Sequence, residues 1–524
     1  MKEVLLTSAA MKAADVFNIE QLGRTSLGLQ EAAALAVCRE IPPSTKGVLV
    51  LAGGGNNGAD GLAAARLACT SGCHAYAVEC MAEKGNFTKE YEIQRARAKE
   101  AGVSFLSAEE FLAGKEQYEG YCILDALFGV GLSRPVSEEL CEILRAADTI
   151  PDAYKLAVDL PSGISADTGE VLGYAMSCHV TVTFGWNKIG LVAEPGAEYA
   201  GRVVVADIGF AKDTLKRAQI SPNAYAFTGK ADLLKRSRRS NKGTYGRLLV
   251  IAGTKNMAGA SFFAATAAYR TGCGLVKILT PEENRLILQV KIPEAVLSVY
   301  RDDDDEEILK NQVRQCMDWA DCILLGPGIG KEKTAQFLTK TVLAEHTVPL
   351  LLDADGLNIL SDHPNWMESL SASDVLTPHY GELSRLMGVP IGELMQKPVA
   401  YGQKLAGLTG AVCLIKDANT MICSPNGNLA VNAYSGNNGM ATGGSGDVLS
   451  GVIAGLMTCG MQADAAAALG AYLHGLAGDA ACAKVGPYAL MASDILDGLC
   501  TVTREQEKQD RVKTQSHLDE QEYI

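Results

Sequence analysis

The sequence predicts an α/β protein built from two three-layer domains. Three observations carry that reading. Short, wholly apolar runs of strand length alternate with helical stretches, which marks parallel sheets covered on both faces. The series runs twice, on either side of a polar break. And the 524 residues exceed what one core organises, at roughly 100–200 residues per domain.

In chain order, Gly47–Gly53 reads as a buried strand and Asp60–Cys69 as the helix after it. Tyr121–Asp125 and Lys155–Asp159 are apolar runs that end in an acid, and Val203–Ile208 closes the first series. The stretch Ala211–Tyr245 is polar, carries Pro222 and holds the basic run Lys235–Arg239. The boundary is placed there, with domains at 1–215 and 225–502 and a linker at 216–224. The second series has strands at Leu248–Gly253, Cys322–Leu325, Val348–Asp353 and Val412–Lys416, and helices at Ala258–Thr271 and Gly446–Thr458. Residues 503–524 are polar and largely without periodicity, and read as a disordered tail.

Composition excludes several classes. A net charge of −14 makes a poor general binder of nucleic acid or anionic membrane. Met1–Thr7 contains no apolar run of signal-peptide length. The longest charge-free apolar stretch, Val448–Ala463, is shorter than the ~20 residues of a spanning helix. Fifteen scattered cysteines without a Cys-x-x-Cys fit a cytoplasmic protein whose thiols serve as small hydrophobes.

The 54 glycines exceed the average usage of about 7%, and many stand in loops at strand ends. Gly53–Gly61 leaves a strand and opens a helix. It reads equally as an anion cradle of free amides or as a tight turn whose Asn56 and Asn57 cap the helix. Asp125–Pro135 and Val158–Gly163 are two further strand ends of the same half, each with an acid beside glycine. Three such loops converging on one crevice suit a ligand better than three unrelated turns. In the second half, Asn437–Gly451 places Gly443-Gly444-Ser445-Gly446 directly before a helix, with Asp447 just inside it. Several amides then aim at one point, and a carboxylate stands ready to take a hydroxyl proton during phosphoryl transfer. The Walker-type Gly-x-x-x-x-Gly-Lys-Ser/Thr is absent.

These segments carry two resemblances. GNNGADG, DALFGVGLSRP and VDLPSGISADTG, after the opening MKAADVFNIEQLG, resemble the NAD(P)H-hydrate epimerase domain, a Rossmann-like doubly wound sheet. That resemblance implies a potassium ion held by Asn57, Asp125 and Ser162. It implies substrate phosphates held by Asn56, Asn57, Gly58, Ala59 and Asp60 and by Gly129, Val130, Gly131, Leu132, Ser133, Arg134 and Pro135. Asp159 would lie beside the nicotinamide and transfer a proton. Two departures stand out: Ala59 replaces a usual Gly, and Gly28–Ala32 lacks a usual Met-Glu-Asn.

The second half is similar to the ribokinase-like ADP/ATP-dependent NAD(P)H-hydrate dehydratases. The resemblance rests on NKGTYGR before LLVIAG, then LLGPGIG, LLDADGLN, LTPHYGEL and the GGSGD loop, in that order. It implies Asp447 as catalytic base, and Lys416, Asp417, Ala418, Asn419, Thr420 and Gly446 as nucleotide contacts. Ala260, Gly328 and His379 would contact the hydrated dinucleotide. Asp417 stands where Gly is usual, and Gly356 where Ala is usual.

Together the halves imply a bifunctional repair enzyme. It would interconvert the R and S hydrates of NADH and NADPH and dehydrate the S form with ADP or ATP, Mg²⁺ accompanying the nucleotide. A cytoplasmic homo-oligomer acting on small molecules is expected. The alternative is a kinase of a vitamin precursor fused to a binding domain, which would accumulate a stable phosphorylated product. Blander features are the surface run Lys235–Arg239, the repelling acidic loop Asp302–Glu307 and the core helix Ala463–Ala483.

Overall fold

The computed structural model describes residues 2–81, 87–229, 233 and 236–505. The chain divides into two compact units, Val4–Ala224 and, together with the first three residues, Tyr225 onward.

In the first unit a parallel sheet runs in the order Ser104–Ser107, Ala75–Glu79, Val48–Ala52, Cys122–Ala126, Tyr154–Val158, Val180–Phe184, Arg202–Ala206. The strand Val48–Ala52 shows why these runs are continuously apolar. Val48 and Val50 face a core with Leu62 and Ala63, while Leu49 and Leu51 face a second core with Phe111 and Ile143. Side chains alternate with period two, and both faces are covered, so no position can be polar.

The second unit repeats the plan. Its strands run in the order Val296–Tyr300, Leu275–Pro281, Arg247–Ile251, Cys322–Leu325, Leu350–Leu352, Val375–Leu376, Val412–Ile415, all parallel. An antiparallel ribbon, Thr420–Cys423 and Leu429–Asn432, extends it. The sequence reading did not anticipate that ribbon, because its two strands are as short and apolar as any parallel one. It also passed over Ala75–Glu79 and Leu275–Pro281, whose half-buried polar positions break the apolar run. Helix Ala463–Val485 is buried along most of its length, as its small residues suggest.

Two expectations change. The tail does not begin at 503: residues 503–505 continue a helix that starts at 492, and 506–524 lie outside the described residues. The acidic run is only partly a loop. Asp305 caps helix Glu306–Trp319 by accepting the Glu307 N–H at 2.9 Å, and Glu306 and Glu307 form its first turn, where acids suit the dipole. Lys235 lies outside the described residues, while Arg236 stacks on the Tyr245 ring at 3.8 Å.

Helices Ala258–Thr271 and Ser445–Thr458 pack closely through small residues. A Cβ on Gly451 would stand 2.2 Å from the Ala264 carbonyl oxygen. Gly451→Val is therefore expected to lose about 1–3 kcal/mol through overpacking, read as a lower urea midpoint for the second unit.

Candidate active sites

In the first unit both glycine loops leave the neighbouring strands Val48–Ala52 and Cys122–Ala126, where the strand order reverses. Ligands of open α/β sheets bind at that switch point. Helix Asn56–Thr70 starts there with Gly55 as N-cap and no side-chain cap. Asn56 and Asn57 therefore do not cap it, and its first amides remain free for an anion.

A cavity of about 540 Å³ opens at this point. Its wall includes Asn56, Asn57, Asp60, Asp159 and Gly129–Leu132. Gly58 and Ala59 are buried in the helix behind the wall, and Ser133, Arg134 and Pro135 lie off it. A Cβ on Gly129 would stand 3.0 Å from Asp159 Oδ2 and 3.2 Å from Asn57 Oδ1, so a side chain there would press on both.

Asp159 follows its strand in a left-handed conformation, φ 69°, which among non-glycine residues Asp tolerates best. Its Oδ1 accepts hydrogen bonds from Lys188 Nζ at 2.7 Å and Thr183 Oγ1 at 3.0 Å. The Lys188 side chain is fully buried and also donates to the Phe184 carbonyl at 3.1 Å. Two more acids line the cavity. Burial, and then the Asp159 charge, push Asp15 up to about 6 against the pull of Lys188. Burial, Asp159 and Asp15 hold Asp60 well above the carboxylate range. A protonated Asp60 can donate to an anion, which reconciles an acid with a phosphate loop.

Asp125 and Ser162 sit below this wall, both fully buried. The Ser162 N–H donates to Asp125 Oδ2 at 2.7 Å, its hydroxyl donates to Oδ1, and the Phe128 N–H donates to Ser162 Oγ at 3.0 Å. Burial pushes Asp125 up to about 6, and no cationic side chain among the described residues pairs with it. Asn57 faces the same loop at Gly129, with its amide Nδ2 buried and unpartnered. This oxygen-rich set around an uncompensated carboxylate fits a hard monovalent cation.

The second site is built alike. The first turn of helix Ser445–Thr458 follows Gly444, its N-cap, at φ 91° with no side-chain cap. A Cβ there would meet the Phe263 ring at 2.9 Å. Asp447 is raised to about 7 by burial and by Asp353 and Asp355, against Lys416. Asp353 is fully buried at the end of Leu350–Leu352. It accepts from Lys416 Nζ at 2.7 Å and from the Ser450 hydroxyl. Burial alone would raise it, but Lys416, Ser450 and Thr377 hold it below the usual range. Ala354, next in the chain, has φ 50°, a strained position for alanine.

Of the other expected contacts, Gly446 and His379 stand beside Lys416, and Gly328 and Ala260 stand beside each other. Gly446 lies next to Lys416, since a Cβ on it would be 3.9 Å from Nζ. Gly328 and Ala260 touch, a Gly328 Cβ falling 3.0 Å from the Ala260 Cβ. His379 bridges to Lys416 through the backbone, and its Nδ1 accepts the Gly381 N–H at 2.9 Å. Burial, Lys416 and Arg385 lower its pKa, and a neutral ring is what such an acceptor requires. Asp417 accepts from the Tyr380 hydroxyl at 2.9 Å and from the Ala418 N–H at 2.8 Å. Thr420 donates its hydroxyl to the Asp417 carbonyl at 3.1 Å, so Lys416–Thr420 is one closed turn with Ala418 exposed and Asn419 half-buried. Among the described residues no group of three or more His, Cys, Asp or Glu is placed to hold a metal ion. A Mg²⁺ here would depend on phosphate oxygens, as Mg²⁺ commonly does.

Sequence reasoning missed Lys188, Asp15 and Ser450. The one available signal was Lys188, a lone charge in the apolar stretch Val180–Leu191.

Two family models match, one described as YjeF-related protein N-terminus over residues 2–190, the other as NAD(P)H-hydrate dehydratase over residues 248–500. The bifunctional NAD(P)H-hydrate repair enzyme Nnr of Moorella thermoacetica is 34% identical, over 96% of this chain and 97% of its own. The Escherichia coli enzyme of the same name is 32% identical, over 89% and 87%. A solved ADP/ATP-dependent NAD(P)H-hydrate dehydratase from Bacillus subtilis, co-crystallised with ATP and Mg²⁺, is 30% identical. It covers 52% of this chain and 94% of its own, with a TM-score of 0.44.

Lys416 opposes the rise of Asp447. In Lys416→Met, the Asp447 carboxyl is expected to titrate above its value of about 7, followed by carbon NMR of labelled aspartate against pH.

Proposed function

The chain belongs to the family of bifunctional NAD(P)H-hydrate repair enzymes, and we propose how its residues divide the work. The enzyme epimerises the R and S hydrates of NADH and NADPH and dehydrates the S form at the expense of ADP or ATP. We assign epimerisation to residues 1–215 and dehydration to 225–502.

In the N-terminal cavity the uncapped start of helix Asn56–Thr70 and the Gly129–Leu132 loop hold the substrate phosphates. Asp159, ion-paired to Lys188, faces the nicotinamide and exchanges protons. A potassium ion on Asn57, Asp125 and Ser162 would neutralise the buried Asp125 and fix the Gly129 loop.

In the C-terminal site Asp447 takes the proton of the ring hydroxyl. The hydroxyl oxygen attacks the terminal phosphoryl group of the nucleotide, whose bond to the rest of the nucleotide breaks, releasing AMP from ADP or ADP from ATP, while the amides of the Gly443–Gly446 loop hold the developing charge. Loss of inorganic phosphate and a ring proton restores the dihydronicotinamide. Mg²⁺ would supply charge neutralisation on the phosphates. The observation that carries this reading is Asp447 itself. It stands in an uncapped glycine-loop helix start and is raised to about 7 beside Asp353 and Lys416, matched to proton transfer at neutral pH.

A cytoplasmic setting is supported by fifteen free thiols; no described helix is long and apolar enough to cross a membrane. Homo-oligomeric assembly is supported by helix Arg285–Lys291, which exposes Leu286 and Val290 one turn apart.

The base must lose its proton to act. The kcat/KM for nucleotide-dependent dehydration is expected to rise with pH through about 7. Asp447→Asn should lower it by at least about 100-fold and leave epimerisation intact, measured as recovery of dihydronicotinamide absorbance from S hydrate and as chromatographic loss of R hydrate. Loss of both activities in a folded variant would refute the two-site assignment.

A further inference from the structure

We propose that Asp15 is the second proton-transfer group of the N-terminal cavity, acting with Asp159 on opposite faces of the substrate ring. The proposal rests on the epimerase reading of that cavity.

Asp15 comes from helix Ser8–Val16, and Asp159 from the end of strand Tyr154–Val158. Both line the same cavity. Beside its polar residues the wall carries Met11, Ile19, Leu29, Phe184 and Phe210, apolar groups that suit a flat ring rather than a phosphate. Asp159 is paired with the buried Lys188 side chain at 2.7 Å. Asp15 takes no hydrogen bond and no ion pair among the described residues, although it is half-buried. The charged and titratable groups that face it are Lys12, Asp60, Asp159 and Lys188. Burial and the Asp159 charge favour its protonated form. Asp60, also raised by burial and by the Asp159 and Asp15 charges, belongs to the loop helix Asn56–Thr70 assigned to the phosphates.

Inverting the hydroxylated carbon needs an acid on one face and a base on the other. That carbon is bonded to the ring nitrogen. Asp15 gives its proton to the hydroxyl, the carbon–oxygen bond breaks, and the oxygen leaves as water with the bonding pair. The nitrogen lone pair closes a carbon–nitrogen double bond, giving a cationic iminium. A water on the opposite face adds to the carbon, opening that double bond, and passes its proton to Asp159. One water leaves and one enters. The pair still carries one proton, now on the other partner, and the reverse reaction uses the same groups with roles exchanged.

The test follows epimerisation of purified R hydrate by the full chain, with the spontaneous rate subtracted. In the wild type, kcat/KM should fall as pH rises through about 6, because Asp15 loses the shared proton. Asp15→Asn should lower kcat by about 100-fold or more, keep KM within a few-fold and lack that alkaline limb. Asp15→Glu should restore part of the rate and the limb. In ¹⁸O-water, each inversion by the wild type should bring in one solvent oxygen. Folding of the variants is checked by circular dichroism. A wild-type rate in Asp15→Asn, or inversion without solvent oxygen, would overturn the proposal while the epimerase reading stands. A wild type that fails to accelerate epimerisation would overturn both.

Discussion

One buried ammonium in each unit sets the charge of the acids around it. Lys188 holds Asp159, and Lys416 holds Asp353, each across 2.7 Å. A buried carboxylate without such a partner tends to keep its proton. So within each site the lysine takes one neighbouring acid as its partner, while burial and that acid raise another toward neutrality, Asp15 in the first and Asp447 in the second. The remaining geometry serves this division. Ser450 and Thr183 fix the paired carboxylate, and the strained residues after the two central strands turn the chain toward the ligand.

The second constraint is where those acids stand. They stand beside the loops proposed for the phosphates, and acid beside anion is unfavourable. The fold answers with backbone. Both glycine-loop helices start without a side-chain cap, while Thr7, Thr25, Thr88 and Ser107 cap helices elsewhere in the chain. The amides a cap would have consumed remain for the ligand. In the first sheet strand order also places the loops, because the chain reverses its direction of growth between Val48–Ala52 and Cys122–Ala126.

Much of this was legible in the sequence. The apolar strands Val48–Ala52 and Arg247–Ile251 announce themselves because burial on both faces forbids polar positions. The glycine loops announce themselves through composition and order, and Asp447 and Asp159 through their place beside them. The strand Ala75–Glu79, second from the edge of its sheet, was not legible, since a half-buried strand need not be uniformly apolar. Nor were the roles of Lys188 and Asp15. A lysine's partner 29 residues earlier in the chain is a tertiary fact with no local pattern. The capping alternative for Asn56 and Asn57 was equally open until the helix start was seen to be uncapped.

The uncapped helix starts have a last consequence. A peptide N–H does not titrate, and it has few rotameric alternatives. The backbone part of the proposed phosphate subsites is therefore the same in acid and in base, whereas the carboxyls beside it change state near neutrality. On that reading pH acts through the side chains and leaves the backbone cradle untouched.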